Sequence, residues 1–95
     1  MKINLEFLGL PLLSNIIGKR KLELTLTGTT VKSVIDELIN HYGEEARNVF
    51  YDQQGNFDLT IQIVLNAKVY IPLGNLNISL NEGDTLTFML ALFGG

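Results

Sequence analysis

The residues best placed to do chemistry are the last three, Phe93-Gly94-Gly95. None of them carries a nucleophile, base or metal ligand in its side chain. What they present is a main-chain carboxylate on two residues without side chains. Glycine has no Cβ, so Gly94 and Gly95 fit a passage too narrow for any other residue. Ahead of them runs Leu86-Thr87-Phe88-Met89-Leu90-Ala91-Leu92, a strand pattern passing into an apolar tail. A polar terminus would fray without consequence. An apolar segment closing in Gly-Gly reads instead as one held in a partner's groove, and its reactive group is the carboxylate of Gly95.

Other polar residues have simpler readings. His41 is the single histidine, late in a helical pattern and beside its apolar stripe. A solvated residue favoured by the helix dipole is expected there rather than a base. Asp36, Glu37, Glu44 and Glu45 fit a solvated helix face and its exit, with no second ligand type to turn them into a metal site. Asn66 and Asp84 are expected to form turns. Lys19-Arg20-Lys21, the one local basic run, marks a turn between strands. The chain has no cysteine, hence no disulfide, thiolate metal site or Cys nucleophile. No metal and no bound cofactor is expected.

The 95 residues are 46% hydrophobic and 18% charged, with a net charge of -3. Those values fit one folded domain over residues 1–95 and exclude a disordered chain. Nucleic-acid affinity comes chiefly from neutralising phosphates, so a weakly acidic chain argues against that role. No apolar run reaches the roughly 20 residues that span a bilayer. Met1-Lys2-Ile3-Asn4 enters a strand pattern directly, without the makings of a secretory signal. The expectation is a cytoplasmic protein with neither nucleic-acid nor membrane partners.

Hydrophobic periodicity supplies the elements that must position the tail. Ile3, Leu5 and Phe7 alternate with Lys2, Asn4 and Glu6, a half-buried strand. Leu22, Leu24 and Leu26 alternate with Glu23, Thr25 and Thr27, so the two runs pair as an antiparallel hairpin. Between them, Leu8 to Gly18 reads as a connection with one helical turn, since Gly9 and Pro11 break the pattern. Val31, Val34, Ile35, Leu38, Ile39 and Tyr42 form one apolar helical stripe. Thr29 or Thr30 supplies the N-cap, and Gly43 fits the left-handed position after the last turn. Ala46, Val49, Phe50 and Tyr51 suit a short helical turn beneath the domain, and Gln53-Gln54-Gly55-Asn56 a turn.

Later, Ile61, Ile63 and Leu65 share a strand face. Asn66-Ala67-Lys68 is a tight turn, and Val69-Tyr70-Ile71 a short strand that Pro72 ends or leaves at an edge. After the turn Asn81-Glu82-Gly83-Asp84, the last strand runs from Thr85 to Leu90, with Leu86, Phe88 and Leu90 on one face. Placing it beside the first strand buries Leu86 and Phe88 against Leu5 and Phe7. The predicted class is α+β, a mixed sheet of about four or five strands with one main helix on one face, which is the β-grasp, or ubiquitin-like, architecture. Residues 90–95 form its extended tail, spanning roughly 20 Å at about 3.3–3.6 Å per residue. On the parity opposite to the core, Met89, Ala91 and Phe93 are assigned to a partner surface, with sheet-edge packing inside the domain as the alternative.

Several of these pieces resemble the MoaD/ThiS sulfur carriers over nearly the whole chain. They are the opening strand Lys2 to Phe7, Gly18-Lys19 before a strand, Gly28-Thr29-Thr30-Val31 leading into the helix, and Ile63-Val64-Leu65-Asn66 with its turn. The most specific combination is Leu80-Asn81-Glu82-Gly83-Asp84-Thr85-Leu86 followed by terminal Gly94-Gly95. In length the chain is most similar to MoaD, the small subunit of molybdopterin synthase. Two places depart from that pattern: Leu90 and Ala91 stand where prolines are usual, and Asn66-Ala67 replaces an Asn-Gly turn.

The resemblance implies that the chain is no enzyme by itself but a sulfur-carrying substrate and subunit. A partner enzyme uses ATP to convert the Gly95 carboxylate to an acyl-adenylate, because a carboxylate oxygen is a poor leaving group and AMP a good one. A persulfide-derived sulfur then displaces AMP and leaves a thiocarboxylate on Gly95. Phe93 and Gly94 would thread the partner's active site, and Met89, Ala91 and Leu92 would contact its surface. The implied partners are an E1-like adenylating enzyme and a larger, MoaE-like synthase subunit, with self-association through the tail when neither is present. Three functions stay in view. They are sulfur donation in molybdenum or tungsten cofactor synthesis or another pathway such as thiamine or thiolation, a ubiquitin-like protein modifier, and a plain β-grasp binding module.

Overall fold

Ile3, Leu5 and Phe7 take every second position of a strand and therefore share a face. In a computed structural model of the protein, which describes residues 1–72 and 75–90, that face is fully buried. Strand β1 spans Lys2–Leu8 and β2 spans Lys21–Thr25. They pair antiparallel with Leu5 opposite Leu22, the expected hairpin. Strands β3 (Ile61–Leu65), β4 (Val69–Ile71) and β5 (Thr85–Leu90) complete one sheet in the order β2-β1-β5-β3-β4.

β5 occupies the middle. It runs parallel to β1, with Leu86 opposite Leu5 and Phe88 opposite Phe7, and antiparallel to β3, with Phe88 opposite Ile63. The sheet is thus mixed and five-stranded, and the pairing of first and last strands follows the shared parity of their apolar residues. Phe7 and Phe88 stack with ring centroids 6.0 Å apart, and Phe50 meets Phe88 edge-on at 5.4 Å.

Three helices cover the inner face. α1 is Pro11–Ile17, α2 is Val31–Tyr42 and α3 is Glu44–Phe50. The stripe read in α2 is the buried one: Val31, Val34, Ile35 and Leu38 join the strand residues in a common core. Thr30 is its cap. The Thr30 hydroxyl accepts from the Ser33 N–H at 3.2 Å, and the Thr30 N–H donates back to Ser33 Oγ at 3.4 Å, satisfying two groups that a helix end otherwise leaves open.

Three local expectations are corrected. The stretch Leu8–Gly18 holds a full seven-residue helix, not a single turn. Pro11 opens that helix at a position whose N–H has no partner anyway, and Leu13 and Ile17, four apart, anchor it in the core. Gly43 does have a positive φ of 81°, but its ψ of -158° is not left-handed helical. It ends α2 and caps α3 at once, so the chain must turn sharply there. Tyr51 lies outside α3, in an extended bridge to Phe57.

Candidate functional site

β5 is flanked by a partner strand on both sides, so its last residues are held by main-chain hydrogen bonds rather than by side chains. Met89 stands between Leu8 of β1 and Gln62 of β3, and Leu90 stands opposite Ile61. Both are half-buried. Beyond them the chain continues into residues 91–95. At this end of the sheet three large apolar side chains face solvent: Leu8 at 44% exposure, Leu59 at 62% and Leu12 at 70%. Leu8 ends β1, Leu59 precedes β3 by two residues, and Leu12 belongs to the first turn of α1.

The outer face of the sheet divides in two. On β1 and β2 it is polar and internally paired: Lys2 with Glu23 at 3.7 Å and Lys21 with Glu6 at 3.4 Å. On β3 and β4 it becomes apolar, with Val64 and Tyr70 opposite each other in the row of Thr87. At the centre, Val64 and Thr87 face outward by parity yet are each only 7% exposed. The Thr87 hydroxyl donates to Glu6 Oε2 at 3.4 Å, a long bond.

The opposite end of β5 is fastened by a polar network. Asn66 donates its N–H to the Thr85 carbonyl at 2.8 Å, and its Oδ1 accepts from the Thr85 N–H at 2.8 Å. Its Nδ2 donates to Asp84 Oδ1 at 3.0 Å, while Asp84 Oδ2 accepts from the Asn81 N–H at 2.8 Å. Asn66 and Asp84 are the turn formers expected, and they additionally join two turns across the sheet. β5 is therefore pinned at its start by side chains as well as by its ladder.

A wider cleft of about 870 Å³ adjoins Leu59, between Asn48, Tyr51, Phe57 and the carboxylates of Asp52 and Asp58. Those carboxylates already accept the N–H groups of Gln54, Asn56 and Thr60, so the cleft is a by-product of turn geometry. Among the described residues no cluster of metal-ligating side chains occurs, and no helix is long and apolar enough to cross a membrane. His41 is exposed and meets Tyr42 edge-on at 4.8 Å. Asp36 binds Lys32 at 2.7 Å, and this bond and charge hold the Lys32 ammonium above its usual range.

No protein-family model and no curated protein matches the sequence. Solved structures do. SAMP1 from Haloferax volcanii superposes with a TM-score of 0.76 at 18% identity, covering 100% of both chains. Urm1 from Trypanosoma brucei gives 0.71 at 27% identity over 99% of this chain and 95% of its own. A protein described as molybdopterin converting factor subunit 1 from Pyrococcus furiosus gives 0.63 at 18% identity, over 95% and 97%. The chain is a β-grasp protein. In that β-grasp frame Met89, expected at a partner surface, is half-buried near the end of the central strand. Ala91, Leu92, Phe93, Gly94 and Gly95 lie outside the described residues. Leu8 and Leu59 were missed. The signal for Leu8 was present, an apolar residue in the outward series Lys2, Asn4, Glu6, whereas nothing in sequence places Leu59 beside the end of β5.

Proposed function

We propose that this chain is a ubiquitin-like sulfur carrier whose C-terminal Gly94-Gly95 segment is the working part. The observation that supports this most is the central position of β5. A strand paired on both sides delivers the chain at Leu90 from a fixed point, ahead of an apolar run and two glycines. The similar solved structures share the fold over their whole length and include one described as a molybdopterin converting factor subunit. In this reading an E1-like enzyme activates the Gly95 carboxylate with ATP, and sulfur replaces AMP to give the thiocarboxylate. The β-grasp domain contributes neither base nor metal. It supplies a rigid handle, and the partner supplies orientation and charge stabilisation. Docked on a larger, MoaE-like subunit, the thiocarboxylate would donate sulfur in molybdopterin synthesis.

A second reading has its own support, because SAMP1 is named as a small archaeal modifier protein. The same adenylate attacked by a lysine amine yields an isopeptide bond. Mass spectrometry separates the two. The protein isolated from its own cells first establishes that Gly95 is terminal. Incubation with ATP, the adenylating enzyme and a sulfur donor should then replace one oxygen by sulfur, and deletion of Gly95 should abolish the change. Covalent ladders on other proteins with no thiocarboxylate would favour the modifier. Neither product from an active enzyme would leave a binding module.

A further inference from the structure

Four of the seven basic side chains are neutralised locally: Lys2 by Glu23, Lys21 by Glu6, Lys32 by Asp36 and Arg47 by Glu44. The other three, Lys19, Arg20 and Lys68, are exposed and pair with no acidic side chain among the described residues. In a chain of net charge -3, two adjacent uncompensated cations stand apart from their surroundings.

Their location is fixed by the backbone. The Arg20 carbonyl accepts from the Phe7 N–H at 2.9 Å, one step past the Glu6–Lys21 pair. Phe7 and Leu8 in turn lie opposite Phe88 and Met89 of β5. Lys19 and Arg20 therefore stand at the end of the sheet where β1 and β5 finish, one strand away from β5. Beside them is a cleft of about 350 Å³ lined by Leu8, Pro11, Ser14, Asn15 and Arg20. A cleft that mixes apolar and polar side chains beside two cations suits a protein surface that mixes carboxylates with apolar side chains. Lys68 belongs to the turn at the opposite end, next to the start of β5.

The geometry points to Lys19 and Arg20, with Leu8, as a docking surface for an acidic face of the enzyme that activates the tail. This rests on the tail-activation reading above. Two cations are too few to hold a polyphosphate chain against a net negative charge, but they are enough to steer and register one protein on another. Rim charges of this kind act on association and on its salt dependence more than on the chemical step.

The test uses the full chain, the adenylating enzyme of the same cell, and ATP–pyrophosphate exchange as readout. The double variant K19E/R20E should raise the KM for the carrier about tenfold or more at low salt, with kcat unchanged. The difference should shrink as salt is added, and Lys68→Glu should behave as the parent chain does. Thermal melting of the variants checks folding, since both side chains are exposed. An unchanged KM, or an equal rise for Lys68→Glu, overturns the docking surface while leaving tail activation in place. If the variant alters only self-association of the carrier, the surface meets a second copy and the inference also falls. A parent chain that is never adenylated removes the functional reading and this inference together.

Discussion

Single residues show where the chain accepts strain and where it cannot change. Asn66 and Ala67 both have positive φ, 52° and 57°, the pattern of a tight hairpin turn. Asparagine tolerates this region, but alanine does so at a cost because its Cβ crowds the following carbonyl. Ala67→Gly should therefore stabilise the domain by about 1 kcal/mol, read as a higher urea midpoint. An unchanged or lower midpoint would mean that the strain is relieved elsewhere. Gly28 is the converse case. A Cβ there would lie 2.2 Å from Ser33 Oγ and 2.5 Å from its Cβ, breaking the cap of α2. Gly28→Ala should cost about 1–3 kcal/mol, and an unaltered melting temperature would show that the Thr30–Ser33 cap moves freely.

Among the elements, those with a long uninterrupted period were legible. The stripe of α2 and the alternation of β1 each bury one face, and burial needs only the right residues at the right spacing. The pairing of β1 with β5 was readable for the same reason, because matched parity places Leu86 and Phe88 on Leu5 and Phe7. Phe88→Ala should accordingly destabilise the domain by about 3–5 kcal/mol, since its ring fills the space between Phe7 and Phe50. A near-neutral denaturation curve would contradict that packing. α1 was under-read because Pro11 breaks a helix everywhere except at its start, and sequence does not reveal which position a proline takes. The burial of Val64 and Thr87 depends on neighbours from other strands, which no local pattern contains. Of the candidate site, Gly94-Gly95 was visible as a motif. The apolar rim of Leu8 and Leu59 exists only once the topology brings three strand ends together.

For the molecule as a whole, every buried apolar residue described falls within residues 3–88, ahead of Gly94-Gly95 by several residues. Deleting Gly94-Gly95 should thus leave the melting temperature unchanged while abolishing sulfur loading. A lower melting temperature would show that the tail contributes to the fold. The same division separates two kinds of variant. Core changes lower stability and spare the chemistry of whatever fraction remains folded, whereas tail changes spare stability and remove the chemistry.

The side-by-side placement of β1 and β5 has a further consequence during synthesis. Leu5 and Leu86 are neighbours across the sheet, yet nearly the entire chain lies between them. Closing so long a loop is entropically unfavourable until the contacts that reward it exist. A nascent chain that has only reached β4 lacks the strand that joins β1–β2 to β3–β4. The sheet cannot close before β5 is made, so Leu90 gains its fixed place only when both ends of the domain have met. Under the proposed function, unfinished or misfolded copies would then lack the fixed support from which the tail is offered.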